Sequence, residues 1–203
     1  MKRLYLSAAA LAATLALAPA AHAAVVLSDN FDGEAADDLN WDGDAVFFVS
    51  TGSVDLIGAG GGFDLYPGNG RYLDLDGSTG GNDPAGEITS FASFGAGNYT
   101  LDFQLGGNAR GGPARTTRVT LGDFSVDITL AANDPLTNYS FSFNTTGGQL
   151  AFRQLGPTNF VGNILDDVQL STGVVPEPAT WAMMILGFGA AGAMLRRRQV
   201  AYA

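Results

Sequence analysis

The sequence predicts an all-β fold: an antiparallel β-sandwich of the jelly-roll kind, flanked by an N-terminal signal helix and a single C-terminal transmembrane helix. Three observations lead there. Between Ala24 and Gly173, apolar and polar residues alternate with period two in short runs, the pattern of a strand with one buried face. Clusters of Gly, Asn, Asp and Pro separate these runs and turn the chain at short intervals. No stretch of this region keeps the 3.6-residue apolar period of a helix, so no crossover helices are at hand to support a parallel sheet.

Taken in order, the predicted strands are Val46 to Val49, Ser53 to Ile57, Arg71 to Leu75, Tyr99 to Leu105, Arg118 to Leu121, Phe124 to Leu130, Tyr139 to Phe143 and Gln149 to Leu155, with a closing strand at Ile164 to Leu170. The turns between them are marked by Gly58 to Gly62, Pro67-Gly68-Asn69-Gly70, Asp76-Gly77-Ser78, Gly95-Ala96-Gly97-Asn98, Gly106-Gly107-Asn108, Gly122-Asp123, Asn133-Asp134-Pro135 and Thr146-Gly147-Gly148. No repeat and no linker divides 24–173, so it is expected to be one domain.

The two ends read differently. Lys2 and Arg3 precede an apolar run from Leu4 to Ala18, and Ala21-His22-Ala23 has the small-x-small pattern cut by signal peptidase. Residues 1–23 are therefore predicted to be a signal peptide. At the other end, Ala179 to Leu195 contains no charged residue and is closed by Arg196-Arg197-Arg198. Roughly 17 residues at about 1.5 Å each is the short end of what crosses a hydrocarbon layer of about 30 Å. Clustered arginines stay on the cytoplasmic side, which leaves everything before Pro176 outside, and Trp181 suits the interfacial level.

Composition narrows the chemistry. The region 24–173 holds five arginines, no lysine and nineteen acids, a net charge of −14. Such a surface repels nucleic acid, so no nucleic-acid partner is expected. The chain has no cysteine, and its one histidine, His22, lies in the signal peptide. Ser-His-Asp and Cys-His nucleophiles, histidine-ligated zinc and lysine Schiff bases are thereby excluded from the mature protein. Paired carboxylates that hydrolyse a glycosidic bond remain conceivable, but nineteen acids single out no pair, and no catalytic residue is assigned.

Pro176-Glu177-Pro178, then Thr180-Trp181-Ala182-Met183-Met184-Ile185, Gly187-Phe188-Gly189 and the arginine cluster together resemble the PEP-CTERM protein-sorting signal in its Pro-Glu-Pro-x-x-Trp-Ala variety. The resemblance covers about 25 of the 203 residues. It implies a surface protein of a Gram-negative, exopolysaccharide-making bacterium, held at the inner membrane until an exosortase cuts at or near Pro176-Glu177-Pro178. Its destination is then the cell surface or a biofilm matrix. The plainer alternative is a permanent single-pass anchor.

Asp29-Asn30-Phe31-Asp32 opens the domain and Ile164-Leu165-Asp166-Asp167-Val168 closes it, which resembles the galactose-binding-like jelly rolls shared by many carbohydrate-binding modules. In that family the first and last strands lie side by side and often hold a structural calcium. The resemblance implies Asp29, Asp32, Asp166 and Asp167 as ligands, since calcium takes six to eight oxygens. Asp166 and Asp167 must face opposite ways unless the strand bulges. Sugar binding would use an aromatic platform with polar partners: Trp41, in the loop Asn40-Trp41-Asp42-Gly43-Asp44, with Tyr66 and Arg71, and further Phe63, Tyr72, Asn108 and Arg110. The plain alternative is that these aromatics are core. The sequence thus points to a non-catalytic structural or exopolysaccharide-binding sandwich, with a carboxylate-based polysaccharide-acting enzyme as the alternative.

Overall fold

The computed structural model describes residues 23–33, 37–78, 84–156, 158–173 and 185–190. Ala24–Gly173 form one compact unit. Every buried apolar side chain among the described residues, from Leu27 to Leu170, belongs to Ala24–Gly173, so this unit carries its own core.

It is built from twelve strands: β1 (Val25–Asp29), β2 (Asp38–Trp41), β3 (Phe47–Thr51), β4 (Val54–Gly58), β5 (Arg71–Asp74), β6 (Glu87–Phe94), β7 (Gly97–Gly106), β8 (Arg115–Leu121), β9 (Phe124–Leu130), β10 (Thr137–Thr145), β11 (Gly148–Leu155) and β12 (Ile164–Thr172). They form two sheets. One runs β10-β7-β12-β5-β4-β2 with β1 paired to β12, and the other runs β3-β6-β11-β8-β9. Every pairing between these strands is antiparallel. The predicted antiparallel sandwich is therefore the fold.

Period two does the work expected of it. Along β7, Tyr99, Leu101, Phe103 and Leu105 are buried while the residues between them are only partly covered. Leu150 and Phe152 on β11 and Val119 and Leu121 on β8 answer from the facing sheet. Phe103 and Phe152 meet edge to face across the core, with centroids 5.1 Å apart at 79°. Each such fully buried side chain contributes roughly 1.5–3 kcal/mol.

Strand β4 departs from alternation and is buried along its whole length. The cause is the long connection 59–70, whose Leu65 and Tyr66 join Leu136 over Ile57, Tyr72 and Ile164 in a second small core. This connection covers the outer face of the larger sheet at β4, β5 and the start of β12. Strands β1, β2 and β6 were not predicted. β2 reads Asp-Leu-Asn-Trp with Asn40 at φ 64°, and β6 carries Phe91 outward, so neither shows clean alternation.

Among the described residues no helix is long and apolar enough to cross a membrane. Residues 185–190 are helical. The remainder of the expected span 179–195, Pro176, Glu177, Pro178, Trp181, Arg196, Arg197, Arg198, and the signal segment with Ala21 lie outside the described residues. Ala23 is described and exposed.

Candidate functional site

The four candidate calcium ligands come close together, but not as a cage. β1 pairs with β12 through Asp29 opposite Val168, so the first and last strands do adjoin. The register of β12 against β7 shifts between Asp166 and Gln169, and Asp167 sits at φ 48°. That irregularity is the bulge the alternation problem required. It leaves Asp166 buried beneath Asn69 of the 59–70 connection, 1 % exposed, and Asp167 exposed, accepting a hydrogen bond from Gln104 Nε2 at 2.9 Å.

Each of the four carboxylates already accepts at least one N–H donor. Asp166 accepts from Asn69 Nδ2 at 2.5 Å and from the Asp167 N–H at 2.7 Å. Asp32 accepts from the Arg71 N–H at 2.7 Å and from Asn30 Nδ2 at 3.1 Å. Asp29 accepts from the Phe31 N–H at 3.0 Å, which holds Phe31 at φ 56°. Among the described residues no group of three or more acids is arranged to hold a metal. As arranged, then, these residues do not fit a calcium ion. Burial first, then the charges of Asp167 and Asp32, push the Asp166 carboxyl up to about 8, against the lowering effect of its N–H donors. Asp29 and Asp167 instead line, with Asp102, Ser28, Asn30 and Gln169, an open groove of about 630 Å³.

The three predicted sugar-contacting residues are all occupied elsewhere. Trp41 ends β2, is 3 % exposed and meets Phe31 edge to face at 6.2 Å, so it is a core residue and no platform. The loop composition around it suggested exposure, but β2 pairs with β4 and carries the indole into the sandwich. Tyr66 is a strut: its hydroxyl lies 2.5 Å from the Gly107 carbonyl and 3.1 Å from that of Asp134, tying the 59–70 connection to the end of β7. Arg71 is paired with Asp37 at 2.8 Å, both side chains largely covered. Tyr72 is fully buried. Its hydroxyl accepts from the Leu65 and Tyr66 N–H groups and donates to Asp64, and burial pushes it up to about 12.

Phe91 is exposed on β6 against Phe48, while two other exposed aromatics, Phe63 and Phe160, lie beside Arg110. Its guanidinium sits 5.4 Å from the Phe63 ring centroid, donates to the Phe160 carbonyl at 2.6 Å and to Asn108 Oδ1 at 2.5 Å, and pairs with Asp74. Phe63 and Phe160 are 43 % and 38 % exposed. Three separate connections thus meet here: 59–70, 107–114 and 156–163.

Two buried acids at the end of β5 hold this cluster. Asp74, 1 % exposed, accepts from Asn108 Nδ2 at 2.8 Å, the Gly162 N–H at 2.8 Å and the Asp76 N–H at 3.0 Å as well as from Arg110. Asp76 accepts from Thr158 Oγ1 at 2.6 Å and the Asn159 N–H at 2.8 Å. Together they fasten the connection that presents Phe160, which itself sits at φ 64°. Burial drives the Asp74 carboxyl up to about 7, with Arg110 opposing the rise. The arrangement is an exposed cation between two aromatic residues on a buried anionic footing. It can receive an apolar face and hydrogen-bond acceptors together.

Sequence reasoning named Phe63, Asn108 and Arg110 but missed Phe160 and the role of Asp74. An isolated phenylalanine in the turn-rich stretch 156–163 was the one available signal.

The C-terminal stretch carries its own decision, through a proline-bracketed glutamate, an uncharged run and three arginines. Residues 174–198 match the PEP-CTERM protein-sorting motif. No curated protein matches the chain in sequence. Among solved structures, the chain is similar to a cleaved adhesin domain of the Lys-gingipain of Porphyromonas gingivalis, at 14% identity and a TM-score of 0.49 over 73% of this chain and 100% of that one. It is likewise similar to the CBM22-1 xylan-binding domain of Xyn10C from Paenibacillus barcinonensis, at 14% identity and a TM-score of 0.48 over 78% and 100%. A third is the C-terminal CBM6 of LamC from Zobellia galactanivorans, at 9% identity and a TM-score of 0.41 over 72% and 98%.

Proposed function

We propose that this is an exported bacterial surface or matrix protein whose C-terminal signal is read by an exosortase, and whose sandwich is a non-catalytic module that binds an extracellular polysaccharide. The observation that carries the reading is the sorting motif at 174–198, placed directly after a unit with a complete core of its own. Signal peptidase removes residues 1–23, and the apolar run holds the chain at the inner membrane with Arg196 to Arg198 inside. Cleavage near Pro176-Glu177-Pro178 then releases the sandwich for the cell surface of a Gram-negative host. The galactose-binding-like jelly roll is the architecture we assign to it, supported by the adjoining first and last strands.

Within the sandwich, Phe63, Phe160 and Arg110 are the proposed polysaccharide contacts. Aromatic faces receive the C–H side of a pyranose, and a guanidinium suits hydroxyl or carboxylate oxygens. In a domain of net charge −14, Arg110 supplies a cation beside these two aromatics for an acidic polymer.

Two measurements test this. Mass spectrometry of the protein recovered from its producing cells should show a C-terminus near residues 176–178. An intact Arg196 to Ala203 tail, or the same product in cells lacking the exosortase, overturns the sorting part. Affinity electrophoresis in gels containing the host's own exopolysaccharide should show retardation that Phe63→Ala and Phe160→Ala abolish. Equal mobility with and without the polymer overturns the binding part.

A further inference from the structure

Among the described residues, strand β10 ends the larger sheet, hydrogen-bonded to β7 on one side only. The free side of such a strand presents a row of unpaired N–H and C=O groups, which natural sheets blunt with charge, proline or a short edge. β10 uses none of these. It is nine residues long, in unbroken register with β7 from Thr137 to Thr145, and reads Thr-Asn-Tyr-Ser-Phe-Ser-Phe-Asn-Thr without a charge or a proline. The edge β2 has four residues and carries Asp38, and the edge β9 carries Asp127.

The strand is also a palindrome but for one hydroxyl. Reversed about Phe141, each residue falls on its own kind: Thr137 on Thr145, Asn138 on Asn144, Tyr139 on Phe143, Ser140 on Ser142, and Phe141 on itself. Two copies of one edge brought together around a two-fold axis run antiparallel, and the contact is isologous, residue i against j and j against i. A palindrome is the sequence for which that pairing puts like beside like, aromatic opposite aromatic and serine opposite serine. Such cross-strand pairs each stabilise a sheet by about 0.2–1 kcal/mol.

The aromatic side of the strand is prepared for extension. Tyr139 and Phe141 stack at 9° between planes, Phe103 stacks on both, and Phe124 of β9 lies on Phe143 with centroids 3.8 Å apart. Tyr139, Phe141 and Phe143 are only half-buried. With Phe124 of the facing sheet they form an aromatic layer on the core side of the edge strand. On the opposite face Ser140 and Ser142 are exposed, with Ser142 Oγ 3.0 Å from Thr100 Oγ1.

We infer that β10 is a self-docking edge: two copies of this chain join through antiparallel β10–β10 pairing centred on Phe141, giving a closed two-fold dimer with one continuous sheet. The occupant is a second copy because the residues answer one another. The absence of charge on the strand removes the repulsion that a surface of net −14 imposes elsewhere. The pairing consumes both free edges of β10, so it stops at two. Long-range repulsion between the two acidic bodies is screened by salt, so the dimer tightens as ionic strength rises. The inference is independent of whether the sandwich binds polysaccharide.

The test is sedimentation equilibrium of 24–173, the unit with its own core, at low and physiological salt. Dimer is expected, with a smaller Kd at higher salt. In the proposed register residue 140 of one copy faces residue 142 of the other, so two variants that differ only at 142 are decisive. Ser140→Lys with Ser142→Lys sets lysine against lysine twice and should weaken dimerisation roughly tenfold or more. Ser140→Lys with Ser142→Glu sets lysine against glutamate twice and should keep the dimer. Both positions are exposed, so each monomer should retain its parent's melting temperature. A monomer at all concentrations up to about millimolar, a dimer indifferent to the sign at 142, or open-ended oligomers in place of a closed pair would each overturn the proposal.

Discussion

Removing the carboxylate of Asp74 should destabilise the sandwich by about 4 kcal/mol at pH 8. In Asp74→Ala the buried N–H groups of Gly162 and Asp76, now donating at 2.8 and 3.0 Å, lose their acceptor, and Arg110 loses its partner. Each orphaned buried donor costs about 1–3 kcal/mol, and the cavity left by the side chain adds to that. A domain of this size has only about 5–15 kcal/mol in hand, so the loss is large. Urea unfolding of 24–173 can be followed by fluorescence, because Trp41 is its only tryptophan and sits in the core.

The pH dependence adds a second handle. The folded-state value of Asp74 is raised from 3.8 to about 7, so the folded protein binds a proton more tightly than the unfolded chain does. That contribution is fully present below the unfolded value and is lost as pH rises through the folded one. The parent therefore gains about 2–3 kcal/mol between pH 8 and pH 5 that the alanine variant cannot gain, and the gap between them widens toward acid. A variant within 1 kcal/mol of its parent at pH 8, or a gap that does not move with pH, would refute this reading of the buried network.

Three further outcomes are expected. Asp166, raised from 3.8 to about 8, follows the same sign, so melting temperature should fall as pH rises from about 4 to about 8. Asp166→Asn should flatten part of that fall, and a parent that gains stability across the window contradicts the assignment. Trp41→Ala should cost about 3–5 kcal/mol as a large-to-small core change and leave polysaccharide retardation of the folded fraction unchanged. Loss of retardation without loss of stability would restore Trp41 as a contact residue. Adding a chelator should leave the melting temperature of 24–173 where it was, and a drop of several degrees would show that Asp29, Asp32, Asp166 and Asp167 rearrange around a cation.

Local information was enough for some of this protein and not for the rest. Alternation in segments such as Tyr99 to Leu105 and Phe124 to Leu130 determined strands, because period two is a property of neighbouring residues. The sorting motif was legible for the same reason, since apolar length, proline and flanking arginine act in sequence order. The palindrome of β10 was equally present in the residues, yet only its place at the end of a sheet makes it an edge and gives it meaning. Which aromatic is core and which is exposed was decided by tertiary structure alone. Trp41 sits among glycine and acids but is carried inward by its pairing with β4, whereas Phe160 is held outward between Asn159 and Val161, whose N–H groups donate to the Asp76 carboxylate across more than 80 residues of chain. Burial is set by what the rest of the fold places opposite a side chain, and that is fixed only when distant strands have met.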